Sequence, residues 1–265
     1  MTSIKARELL MAIESCTDLS GPRSNLDKLQ KCIEKCIKEG WDKNADVLWT
    51  GKNGRKHLYP LIHWAAVLGK CNALEWLLKR GFSPLAKSSG TGETALHRAV
   101  HMPLIERKPR QNVNRLIEKF PRTVKLLNEA LPIKNKKDGG TPLHRATYLL
   151  VNEDCKANLK FFVTCCKEIA NEGKKMGYDS DAILNSVNDS GETALHILAR
   201  CEKDKVVYCT QAIKALSAAG AKGNIYNDKG YTALDIAVDL GTDPIIKELR
   251  KTIPVCSYCA CQLFM

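Results

Sequence analysis

The chain has 265 residues, 44% hydrophobic and 26% charged, a composition that suits a folded protein with a sizeable core and argues against a disordered one. Its 41 Lys and Arg against 29 Asp and Glu give a net charge of +12, which favours an acidic partner: a protein segment, a phosphorylated peptide, nucleic acid or an anionic membrane face. No apolar run approaches the roughly 18 residues a membrane-spanning helix needs, and the start MTSIKARELLMAIESC, interrupted by Lys5, Arg7 and Glu8, does not read as a signal peptide.

Residues 1–50 predict an N-terminal helical cap. ELLMAI suits a short helix, and LDKLQKCIEKCIKEG, from Leu26 to Gly40, places apolar residues at 26, 29, 32, 33, 36 and 37, a helical spacing. Trp41 and Trp49 fall in the link that follows and are expected to pack there.

A motif then recurs. TALH spans Thr94–His97, TPLH spans Thr141–His144, and TALH returns at Thr193–His196. A weaker copy, YPLIHWAA, contains His63, and TALD ends at Asp235. The His or Asp positions 63, 97, 144, 196 and 235 are 34, 47, 52 and 39 residues apart, which a unit of about 33 residues with insertions explains. Gly92, Gly139, Gly191 and Gly230 each stand two residues before the motif, where a tight turn needs positive φ. The Thr is placed to cap a helix. Pro142 sits at a first helical position, where a missing N–H costs nothing.

The first unit runs from about 56 to 86. The second, from about 90, is stretched by MPLIERKPRQNVNR, where Pro103 and Pro109 discourage a helix; NRLIEKF and RTVKLLNEA predict two short helices divided by Pro121. The third, from about 137, has a long second helix around NLKFFVTCCKEIANEG and then the polar stretch KKMGYDSDA. The fourth and fifth cover about 189–221 and 227–252, and the tail IPVCSYCACQLFM departs from the pattern.

These residues resemble the ankyrin repeat family. IHWAAVLGKCNALEWLLKRGFSP is similar to nearly a full unit, and GYTALDIAVDLGTDPIIKELRK to a terminal one. The resemblance implies an all-α solenoid of about five helix-pair units with projecting turns. The expected organisation is a cap over 1–50, an array over 51–252 with insertions at about 102–121 and 171–188, and a Cys-containing tail over 253–265. It also implies a protein-interaction module that binds along a concave groove made by the turns and the first helix of each pair.

Carried onto this chain, the groove positions are the turn tips Glu93, Gly140, Glu192 and Tyr231, the residues after the motif His (Trp64, Arg98, Arg145, Ile197), and His101, Tyr148 and Arg200 just beyond the Ala pair. Trp, Tyr and Arg dominate interface energetics; the alternative is that Trp64, Arg98 and Arg145 pack their stems between units. His97, His144 and His196, with Thr94, Thr141 and Thr193, are expected to be structural, since repeats spread their histidines along the stack instead of converging them.

From Met102 to Asp138 ten Lys and Arg face four Asp and Glu, a local charge of +6. Arg107, Lys108, Arg110 and Arg115, then Lys134, Lys136 and Lys137, form either a solvated loop or a cationic rim that captures an acidic or phosphorylated segment of a protein partner. A chromatin or nucleic-acid adaptor using the same patch is the alternative function. No phosphate loop, GxSxG or HExxH is present, so neither an enzyme nor a cofactor or metal requirement is expected. Cys256, Cys259 and Cys261 leave a partial metal site, lipid attachment or no special role open. Twelve cysteines at scattered spacing, without a secretory signal, suit a reduced intracellular protein, cytoplasmic or nuclear.

Overall fold

The computed structural model describes residues 3–16, 24–50, 56–101, 113–153 and 156–253. Their contacts divide the chain into two units, Met1–Lys137 and Asp138–Met265.

The first unit opens with α1 (Ser3–Ser15) packed on α2 (Ser24–Lys38). Leu9, Leu10 and Ile13 from α1 and Leu29, Ile33 and Cys36 from α2 are buried, the apolar faces the spacing predicts. Lys70 donates its Nζ to the carbonyls of Glu14 and Cys16, at 2.7 and 2.8 Å, satisfying acceptors at the end of α1 that have no helical partner. The link after α2 contains a strand that helical spacing does not reveal. β1 (Asp46–Thr50) pairs antiparallel with β2 (Lys56–Pro60), Val47 opposite Tyr59 and Leu48 opposite Leu58. Val47 is buried and Leu48 exposed, the alternation a half-covered ribbon requires. Trp41 packs against Phe82, ring centroids 6.2 Å apart; Trp49 lies on β1.

Three helices follow a tight rhythm: α3 (Leu61–Val67), α4 (Cys71–Lys79) and α5 (Ala95–Ala99). The next, α6 (Val113–Leu126), differs from expectation: it is one helix running through Pro121, not two divided by it, and it begins inside the stretch read as an insertion. A proline inside a helix costs about 3 kcal/mol. Burial of Phe120, Val124 and Leu127 offsets that at about 1.5–3 kcal/mol for each large side chain. The helix is also tied to the preceding pair: Lys119 Nζ donates to Gly69 O at 3.0 Å, and Arg122 bonds Glu75 at 2.6 Å.

The second unit is built of helix pairs. The first pair is α7 (Pro142–Asn152) with α8 (Lys156–Lys175), followed by the short α9 (Ser180–Ile183). Then come α10 (Ala194–Ala199) with α11 (Val206–Ala219), and α12 (Ala233–Asp239) with α13 (Asp243–Leu249). Leu143, Leu150, Phe161, Phe162, Leu195, Ile213, Leu216, Ile245 and Leu249 form its core. Successive turns touch through backbone: Asp189 N–H donates to Asp138 O at 2.9 Å, and Asp228 N–H to Ser190 O at 3.2 Å. That approach explains Gly191, whose φ is +69° and where a Cβ would lie 2.7 Å from the Asp228 backbone nitrogen.

Candidate partner-binding site

Each motif copy builds one device. Thr94, Thr141 and Thr193 are extended N-cap residues whose hydroxyls accept from the N–H of the motif His. The His returns the bond, its Nδ1 accepting the Thr N–H at 3.2 Å in His97, 3.2 Å in His144 and 3.1 Å in His196. An accepting Nδ1 assigns the neutral tautomer with its hydrogen on Nε2. His144 donates that hydrogen to Glu192 O at 2.9 Å, and His196 donates to Tyr231 O at 3.0 Å. One ring thus starts its own helix and holds the tip of the next turn.

The two outer copies depart from this in instructive ways. At His63 the Thr position is Pro60, which has neither N–H nor hydroxyl. His63 Nε2 donates to Ala86 O at 2.8 Å, while its Nδ1 is buried with no hydrogen-bond partner among the described residues. Burial drives its pKa down to about 3. At the other end Asp235 accepts from the Thr232 N–H and hydroxyl at 2.8 and 2.7 Å, which hold its carboxyl below the usual range. It closes its own cap and carries no hydrogen to pass onward. Burial also lowers His196. Burial thus keeps His63 and His196 neutral near pH 7.

In the first unit, the surface positions turn inward. Trp64, Glu93 and His101 are buried. Arg98 lies 3.6 Å from Glu93, with its guanidinium 4.3 Å from the Tyr59 ring centroid. Tyr59 in turn packs edge-on to Trp64 at 6.0 Å. The sequence reading passed over Tyr59, yet counting back four residues from His63 places it at a turn tip, as Tyr231 stands four before Asp235.

In the second unit, Tyr148, Arg200 and Tyr231 are exposed. Arg145 holds its guanidinium 5.7 Å from the Tyr148 ring centroid, and Tyr148 is 50% exposed. Tyr231 is 45% exposed at its turn tip. Glu192 pairs with Arg200, which lowers the carboxyl's pKa and raises that of the guanidinium. Ile197 is buried.

Comparison with known proteins agrees with this architecture. Residues 62–102 match the family described as ankyrin repeats (many copies). Among solved structures, an ankyrin repeat domain from Acinetobacter baumannii AYE matches at TM-score 0.58 and 18% identity, over 93% of this chain and 98% of that one. The chain has the fold of an ankyrin repeat domain, and residues 62–102 match ankyrin repeats in sequence.

A second structure similar to this ankyrin-repeat chain is described as the predatory endopeptidase Bd0816 from Bdellovibrio bacteriovorus in complex with immunity protein Bd3460. It matches at TM-score 0.53 and 24% identity, over 92% of this chain and 97% of that one. Two curated proteins match at 28% identity: the NAD-dependent deacetylase sir2B of Dictyostelium discoideum, over 80% of this chain, and the Start control protein cdc10 of Schizosaccharomyces pombe, over 68%. The chain spans about a quarter of the length of these curated relatives, 26% and 22%. The ankyrin-repeat fold is typically a non-enzymatic scaffold for protein binding.

Other residues singled out in the sequence lie elsewhere. Arg107, Lys108 and Arg110, and the tail with Cys256, Cys259 and Cys261, fall outside the described residues. Arg115 lies on α6, its side chain likewise outside the description. Lys134, Lys136 and Lys137 are exposed. Among the described residues, no group of three or more His, Cys, Asp or Glu is arranged to hold a metal ion, and no helix is long and apolar enough to cross a membrane.

Proposed function

We propose that this ankyrin-repeat chain is an intracellular adaptor that captures an acidic or phosphorylated segment of a protein partner, and that Arg145, Tyr148, Arg200 and Tyr231 of the second unit receive it. The observation that carries this is the half-exposed Tyr148 with the Arg145 guanidinium over its ring. A planar guanidinium bonds a carboxylate or phosphate in bidentate fashion, and a tyrosine supplies contact area while losing little rotamer freedom. The net charge of +12 adds long-range attraction to such a segment. Motif bonds fix the helix that carries both residues, so the partner bears most of the ordering cost.

A peptide array tests this. Acidic and phosphorylated peptides should be retained by the intact chain; hits confined to neutral or basic peptides contradict the reading. A DNA or RNA duplex should bind more weakly than the best acidic peptide, and the reverse, with binding that falls steeply as salt rises, would favour a nucleic-acid adaptor.

A further inference from the structure

The last helix pair of the second unit leaves bare a set of positions that the earlier motif copies bury. The residue before the motif His is Ile62, Leu96, Leu143 or Leu195 in the first four copies, each at 1% exposure or less. In the last copy it is Leu234, which is half-buried. Three places after the His stand Ala66, Val100, Thr147 and Ala199, all at 0%; the last copy has Val238 there, 53% exposed. Five places after it, Leu149 and Cys201 are buried, whereas Leu240 is 50% exposed. First helices of successive copies pack on one another, α7 on α10 and α10 on α12. The far side of α12 therefore keeps the apolar residues of a stacking face with no further helix to cover them. A terminal unit needs a polar surface at that place, and this one is aliphatic.

We propose that residues 254–265 dock on this face and cap the array. The chain leaves the last pair at a fixed point. Thr252 is 8% exposed, its carbonyl accepts the Gly223 N–H at 3.0 Å, and its hydroxyl donates to Leu249 O at 2.6 Å. The residues that follow, PVCSYCACQLFM, contain no Lys, Arg, Asp or Glu in a chain that is 26% charged. Val255, Tyr258, Leu263, Phe264 and Met265 match the chemistry of Leu234, Val238 and Leu240, and removing both sets from water drives the contact. At roughly 3.3 Å per residue the segment reaches about 40 Å, several times the length of the seven-residue α12. Asp235 is exposed on the same helix, and its carboxylate keeps two bonds from Thr232 when the face is covered. A second copy is the poorer occupant, because docking it would join two bodies of net charge +12. The uncharged segment meets no such repulsion, and its tether holds it at an effective concentration on the order of millimolar. The cap does not depend on the partner face proposed above.

Thiol cross-linking of the full chain tests this. Val238→Cys and, separately, Tyr226→Cys each put a new thiol at an exposed position. Tyr226 is three residues from Gly223, which bonds Thr252, so an undocked segment reaches it readily. Each variant, reduced and dilute, is treated with a short bismaleimide, quenched and digested with trypsin. Cys256, Cys259 and Cys261 fall in one peptide, 252–265; the new thiols fall in peptides 230–247 and 223–229, which hold no other cysteine. The link from 230–247 to 252–265 within one chain should form about tenfold faster than that from 223–229, the ratio that a docking advantage of about 1.4 kcal/mol gives. Equal rates, a faster link at position 226, or no link at position 238 would overturn the proposal. A link from position 238 found only between two chains would overturn it too, and assign the face to a second copy. Both substituted side chains are exposed, and circular dichroism against the unsubstituted chain checks that each variant is folded.

Discussion

The second and third motif copies place an arginine directly after the same histidine, and its surroundings differ. In the first unit the turn tip is Glu93, and Arg98 is drawn to it at 3.6 Å against the half-buried Tyr59 ring. In the second unit the turn tip is Gly140, and Arg145 lies over a half-exposed tyrosine. A repeat position therefore fixes where a side chain starts but not which way its chemistry turns; a residue five places earlier helps decide that. The histidines differ in the same way: His144 has a threonine to close its cap, and His63 has Pro60.

Breaking the complete device should have the largest effect. His144→Ala leaves the buried Thr141 N–H without its acceptor and takes one of two bonds from the Glu192 carbonyl, which keeps the Asn188 N–H, a loss of about 1–3 kcal/mol for the orphaned donor. Urea unfolding followed by circular dichroism reads this as a lower midpoint; an unchanged midpoint would mean the ring is dispensable.

The incomplete device should instead show itself in acid. His63 has a folded pKa of about 3 against an ordinary 6.5. The unfolded chain therefore takes up a proton below pH 6.5 that the folded chain refuses. The stability is present above 6.5 and is lost as pH falls toward 3. Between pH 7 and 5 the loss is about 2 kcal/mol. All four tryptophans, Trp41, Trp49, Trp64 and Trp76, belong to the first unit, so their fluorescence follows this unit alone. A urea midpoint equal at both pH values, or the same drop in His63→Gln, would contradict the assignment.

Repairing the incomplete device should give the smallest change. Pro60→Thr supplies the N–H and hydroxyl that His63 lacks, and should stabilise the first unit by about 1 kcal/mol, again read by tryptophan. A lower midpoint would show that β2 needs its proline.

The scaffold was legible because its rules are local. Gly, Thr and His at fixed offsets specify a turn, a cap and a bond, and the capping contacts occur at Thr94, Thr141, Thr193 and Thr232. What escaped depends on distant neighbours. The strands Asp46–Thr50 and Lys56–Pro60 are five residues each, too short for a period to declare itself, and exist by pairing. Pro121 reads as a helix break until Phe120 and Val124 are seen buried on either side of it. At the candidate site, register is legible in the sequence and depth is not. The sequence named Trp64, Glu93 and His101 alongside Tyr148 and Tyr231, though the first three are buried and the last two exposed.

The central claim is that partner recognition belongs to the outward-turned face of the second unit. Titration calorimetry of the best-bound acidic peptide against Arg145→Ala and Arg98→Ala tests it most directly. Loss of Arg145 should weaken binding about tenfold, or about 1.4 kcal/mol, with the unfolding midpoint preserved, while loss of Arg98 should change affinity by no more than about twofold. The opposite ranking, with Arg98→Ala folded but unable to bind and Arg145→Ala unaffected, would place recognition in the first unit and contradict the account.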